Sequence, residues 1–130
     1  MRSLVPALVF LMATSAAAEE RMDAEAFEAY VEDRTITFRT DAVDLFGVER
    51  YLPGRRVIWS VFDGTCLYGV WFESKGDICF RYEGDPEHKC WAIFDTPQGM
   101  RGEFTTRPGT TTIYELADRE DPLICNDLSS

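Results

Sequence analysis

The stretch from Gly54 to Phe94 constrains this chain more than any other. It holds three of the four cysteines and all three tryptophans, in short alternating runs separated by turn residues. Period-two alternation places successive side chains on opposite faces of a strand, so such runs between turns read as an antiparallel meander. Arg56 to Phe62 puts Val57, Trp59 and Val61 on one side, and Asp63-Gly64 after it is a tight-turn signal. Thr65 to Glu73 is apolar on both sides and reads as a central strand. In the next run Ile78, Phe80 and Tyr82 face one way, and Asp77, Cys79, Arg81 and Glu83 face the other. His88 to Phe94 follows, with Trp91 and Ile93 continuing the apolar face.

Four cysteines allow three pairings, and strand register ranks them. A hairpin centred on Glu83-Gly84-Asp85-Pro86 puts Cys79 opposite Cys90 and Ile78 opposite Trp91. Directly opposed residues in antiparallel strands lie close enough for a bridge. The hairpin before it, centred on Glu73-Ser74-Lys75-Gly76, puts Cys79 opposite Val70 rather than Cys66. The expected bridges are therefore Cys79–Cys90, on the less buried sheet face, and Cys66–Cys125, which ties the tail to the meander. A zinc site is disfavoured by the long spacings and the lack of any C-x-x-C.

The flanks complete the layout. Met22 to Asp33 reads as a short amphipathic helix with Asp23 as N-cap and Ala24, Phe27, Tyr30 and Val31 on one face. Thr35 to Arg39 is β-branched and alternating, so it is a strand. A loop with Gly47, Pro53 and Gly54 follows it. Gly102 to Thr106 and Thr111 to Leu116 are two more strands across Pro108-Gly109, and the acidic tail from Ala117 is loop-like. The fold class is mainly β (α+β): a short N-terminal helix, then an antiparallel meander of about seven strands, as a strongly curved sheet or small barrel with two disulfides.

The first residues read as a signal peptide. Arg2 supplies the positive n-region, Leu4 to Met12 a short apolar run, and Ala16-Ala17-Ala18 a small-residue cleavage site. The apolar run is far shorter than the roughly 20 residues that span a bilayer. The expected organisation is a signal peptide over 1–18 and one disulfide-stapled β-rich domain over 19–130, in the periplasm or secreted. The chain has net charge −10, and removing residues 1–18 takes away Arg2 and no acid, leaving −11. Such a surface repels phosphate backbones, which argues against nucleic-acid partners.

No constellation for catalysis emerges. His88 is the one histidine and sits at a strand end, opposite Arg81. No serine of the chain sits in a G-x-S-x-G elbow, and both disulfides together leave no free thiol. Paired carboxylates exist, Asp41 with Asp44 and Asp118 with Glu120 and Asp121, but a glycosidase needs two acids held in a cleft and nothing in the sequence places them in one. Arg55 and Arg56 could meet an anion but read as strand-end charges. No nucleotide fingerprint or P-loop is present, so no cofactor and no metal are expected. The aromatics, three Trp, five Tyr and nine Phe, serve first to build a core in so small a domain.

Three segments have a familiar look: Gly69-Val70-Trp71, then Ile78-Cys79-Phe80-Arg81-Tyr82-Glu83, then Cys90-Trp91-Ala92-Ile93-Phe94. With the lead-ins Phe27–Glu32 and Glu49–Val57 and the late Cys125, they resemble a family of small exported alphaproteobacterial proteins with a GxW…ICFxYE…CW pattern. The resemblance implies the periplasm and no catalytic residues. A dihydrodipicolinate reductase label carried by some members has no support in this chain, which lacks the dinucleotide fingerprint. The leading expectation is a non-enzymatic domain that binds a protein or envelope component. The alternatives are a lipocalin-like carrier of a small apolar ligand and a carboxylate-dependent hydrolase.

Overall fold

The computed structural model describes residues 1–13 and 19–126. Residues 1–13 are exposed and carry no regular structure, and the expected cleavage site at Ala16–Ala18 lies outside the described residues. No helix among the described residues is long and apolar enough to cross a membrane.

Among the described residues nine strands and one helix follow in the order β1 (Glu20–Arg21), α1 (Ala24–Val31), β2 (Thr35–Thr40), β3 (Gly47–Leu52), β4 (Arg56–Ser60), β5 (Leu67–Ser74), β6 (Asp77–Tyr82), β7 (Lys89–Thr96), β8 (Gly99–Phe104) and β9 (Thr112–Glu115). From β2 to β9 each strand pairs antiparallel with the next, and β9 pairs back on β2 through Phe38↔Glu115 and Thr40↔Ile113. The sheet is thus a closed eight-stranded barrel, which leaves none of these strands as a free edge. β1 lies beside the end of β7, at Phe94 and Asp95, past the start of β6.

The expected alternation defines the inside. Ile36, Phe38, Tyr51, Val57, Trp71, Ile78, Phe80, Ile93, Met100 and Ile113 form the core cluster with Phe27 and Val31 of α1. Asp23 caps the helix as expected, its carboxylate accepting from the Ala26 N–H at 2.8 Å. The helix closes one end of the barrel. Phe27 is fully buried and meets Trp71, Tyr51 and Phe80 edge-on at centroid distances of 4.9, 5.7 and 6.3 Å.

The register places Cys79 opposite Cys90 and Ile78 opposite Trp91, and both disulfides are as expected, Cys79–Cys90 and Cys66–Cys125. The bridge at Cys79 lies on the outer face, yet Cys79 itself is buried. Three expectations need correction. Cys79 faces Phe72 rather than Val70, because the β5–β6 turn is the tight pair Lys75-Gly76, both at positive φ, which shifts the register by two residues. Asp63-Gly64 is part of a longer loop and not a two-residue hairpin turn. The expected loop before Pro53 contains β3. Gly47, taken as a loop signal, is the first residue of that strand, where a Cβ would lie 2.3 Å from the Trp59 ring.

After β9 the tail crosses the outer face. Thr37, Val48 and Ser60 are paired neighbours across β2, β3 and β4, and all three are buried although they point outward. The tail is held at one end of this row by Thr37 Oγ1 donating to Asp121 at 2.8 Å. At the other end Cys125 is bridged to Cys66, and the Asn126 N–H donates to the Gly64 carbonyl at 2.7 Å.

Candidate functional site

The barrel is not filled by its own side chains. It encloses a cavity of about 290 Å³, floored by Phe27, Tyr51 and Phe80 and walled by Phe38, Trp59, Trp91, Ile93, Met100 and Ile113. The cavity opens at the end opposite the helix, where Phe46, Leu67, Phe104 and Thr111 form its upper wall. Aromatic pairs stiffen that wall: Trp59 packs on Phe46 at 5.5 Å and Trp91 on Phe104 at 4.7 Å. A wider depression of about 910 Å³ lies outside the barrel near Arg39, Arg101 and Tyr114. It is shallow, and its cations are engaged: Arg39 stacks on Tyr114 and Arg101 pairs with Glu19. The interior is therefore the better-formed site.

Four charged residues stand at the mouth. Lys89, opposite Phe80 on the inward face, bridges Asp85 at 3.1 Å and Glu87 at 2.8 Å, and Arg107 reaches Glu87 at 2.9 Å. The Glu87 backbone N–H, then Lys89, holds the Asp85 carboxyl below the usual range, and Lys89 with Arg107 does the same for Glu87. Across the opening the loops expose Val43, Leu45 and Phe62, and the start of β5 exposes Leu67. The mouth is thus apolar on one side and ionic on the other.

Two carboxyls point inward. Glu115 is buried at the helix end and fully engaged. It accepts from the Tyr30 hydroxyl, from Arg34 at 2.9 Å and from the Met100 N–H at 3.1 Å. Burial first, then the Glu115 bond, pushes the Tyr30 phenol up to about 12. This cluster ties α1 to β9 and is structural.

Glu49 differs. It lies on the inward face of β3, between Ile36 and Trp59 in the sheet, and is 1% exposed. Tyr82 reaches across the lumen from β6 and donates to Oε1 at 2.7 Å, while Oε2 has no partner among the described residues. Burial raises the Glu49 carboxyl to about 8, with the Tyr82 bond pulling weakly the other way, so near neutral pH it is mostly protonated. Burial likewise lifts Tyr82 and Tyr51 well above the usual phenol range. The site can enclose an apolar body and offer it one hydrogen-bonding carboxyl.

The residues weighed from sequence lie elsewhere. His88 is exposed, its ring edge-on to Phe72 at 5.2 Å on the outer face. Asp41 and Asp44 are exposed on the β2–β3 loop, and Asp118 and Glu120 on the outer tail, where Asp121 pairs with Arg119. Arg55 stacks on Trp71 at 4.4 Å and pairs with Glu28 at the closed end, and Arg56 donates to the Pro53 carbonyl. No group of metal-ligating side chains occurs among the described residues. Sequence reasoning missed Glu49 because its strand read as a loop. Glu115 was missed as well, although it shares a face with Ile113 in the run Thr111 to Leu116 that reads as a strand. Comparison with protein-family models, with curated proteins and with solved structures finds no match to this chain.

Proposed function

We propose that this protein carries a small, largely apolar molecule inside its barrel. The observation behind this reading is the aromatic-lined cavity of about 290 Å³ with one open end. Apolar cavities of about 150 Å³ hold a benzene ring, and typical ligand pockets begin near 300 Å³. The space therefore suits something the size of a fused bicyclic compound. The amino-terminal pattern around Arg2 and Leu4–Met12 and the two disulfides support a periplasmic or secreted carrier. The family resemblance points to the same compartment. A second reading, docking of a protein or envelope component, is favoured by the exposed Val43, Leu45, Phe62 and Leu67 at the mouth.

The test is a titration with the neutral probe N-phenyl-1-naphthylamine, followed by its fluorescence. Saturable one-to-one binding is expected, weakened about tenfold by Leu67→Trp, which narrows the mouth at a cost of ~1.4 kcal/mol. A linear, non-saturating signal, or saturation untouched by Leu67→Trp, removes the interior as the binding site.

A further inference from the structure

The charged groups near the lumen are paired, and one buried carboxyl is left incompletely bonded. Arg34 is paired with Glu115, and Lys89 and Arg107 with Asp85 and Glu87. Glu49, one of the residues that line the cavity, has an Oε2 with no hydrogen-bond partner among the described residues. An unsatisfied buried carboxyl oxygen is costly to keep, so its retention calls for an explanation. The surrounding chemistry suggests one. Trp59 is the direct sheet neighbour of Glu49, Tyr82 is bonded to it, and Phe80 stacks parallel to Tyr82 at 6.3 Å. Rings around a carboxyl form the setting in which an ammonium is held by charge and by π-faces together.

We propose that Glu49 anchors an ammonium group, and that the ligand is a primary amine carried on an apolar body of about bicyclic size. This inference rests on the carrier reading. The amine end lies at Glu49, with the Tyr82 hydroxyl holding Oε1 and the ammonium donating to Oε2. The apolar body fills the space between Phe38, Trp91 and Met100. The net charge of −10 favours approach of a cation, and the balanced charges at the mouth do not oppose it.

The proton count follows from the chemistry. Burial leaves the empty site's Glu49 mostly protonated near neutrality. An ammonium that binds there as an ion pair drives that proton to solvent, so amine binding at pH 7 releases a proton and strengthens as pH rises towards 8. The titratable groups facing Glu49 are Tyr82 from β6 and Tyr51 from β3, and both stay neutral throughout this range. Asp85, held low, and Lys89, held high by its two carboxylate partners, stay charged at the mouth.

Calorimetric titration with three probes of one skeleton decides the matter: naphthalene-1-methylamine, naphthalene-1-methanol and naphthalene-1-carboxylate. At pH 7.5 the amine should bind about tenfold or more tightly than the alcohol, and the carboxylate most weakly. Glu49→Gln should weaken the amine by about 30-fold and leave the alcohol within a few-fold. In buffers of different ionisation enthalpy the wild type should release a large fraction of a proton per amine bound, and Glu49→Gln none. Equal binding of amine and alcohol, or an amine preference that survives in a folded Glu49→Gln, overturns the proposal and leaves the carrier reading standing. Failure of all three probes to bind overturns both. Should Glu49→Gln not fold, proton release by the wild type decides alone.

Discussion

Glu49 and Glu115 are both inward-facing carboxyls, yet their surroundings give them opposite parts. Three donors satisfy Glu115, while among the described residues Glu49 has the Tyr82 hydroxyl alone. The consequence for stability can be measured. Folding raises the Glu49 carboxyl from 4.5 to about 8, so the folded state holds a proton there that the unfolded chain releases. Its stabilising contribution is complete below pH 4.5 and disappears as pH rises through about 8. The whole displacement corresponds to an upper figure of roughly 5 kcal/mol. Urea unfolding should therefore show wild-type stability falling by about 3–5 kcal/mol between pH 5 and 9, and Glu49→Gln should abolish most of that slope. An unchanged slope in Glu49→Gln would mean that the carboxyl is hydrated or ionised in the free protein. Asp85, Glu87 and Asp121 act in the opposite sense, contributing above their unfolded values and losing that contribution as the medium turns acid. Glu49 was hidden in the sequence for a physical reason. Val48, Glu49, Arg50 and Tyr51 put a charge on the same face as an aromatic, which erases the apolar alternation that marks a strand.

At the scale of elements, α1 does more than its eight residues suggest. An isolated helix of this length does not hold itself together in water, so α1 depends on the aromatic floor it packs against. Phe27 links it to Tyr51 of β3, Trp71 of β5 and Phe80 of β6. Phe27→Ala should cost about 3–5 kcal/mol in chemical denaturation and open the closed end of the cavity. Naphthalene probes should then leave faster, seen as a higher dissociation rate in stopped-flow fluorescence. A loss well under 2 kcal/mol would mean that the helix is dispensable as a plug. The existence and cap of α1 were legible, since Asp23 precedes a clear apolar face. Its role as a stopper was not, because the apolar face names no partner. The same limit affected the β5–β6 hairpin. The strands could be read, but their register depended on which two residues took positive φ, and Lys75 did so with Gly76.

At the scale of the molecule, the two disulfides close loops of different reach, with sequence separations of 59 for Cys66–Cys125 and 11 for Cys79–Cys90. Loop entropy alone assigns them about 4 and about 3 kcal/mol. Cys79→Ser and Cys90→Ser should be destabilised alike, by about 3 kcal/mol in urea unfolding, since each removes the same bridge. Cys66→Ser should lose more and also release the tail, with faster hydrogen exchange at Asn126, whose N–H donates to Gly64. Unequal losses at Cys79 and Cys90 would point to a part for one sulfur beyond the bridge.

The amino-acid sequence by itself determined the mainly antiparallel strands, the faces on which Ile78, Phe80 and Trp91 lie, and the opposition of Cys79 to Cys90. These are local properties, set by period-two alternation and by turns a few residues long. Only the tertiary structure decided that β9 returns to β2, that α1 stops one end, that the tail covers Thr37, Val48 and Ser60, and that Glu49 looks into an open lumen. Each of these joins residues distant in the chain. An inside exists only once the sheet has closed, so no local pattern could say which charged residue would face it.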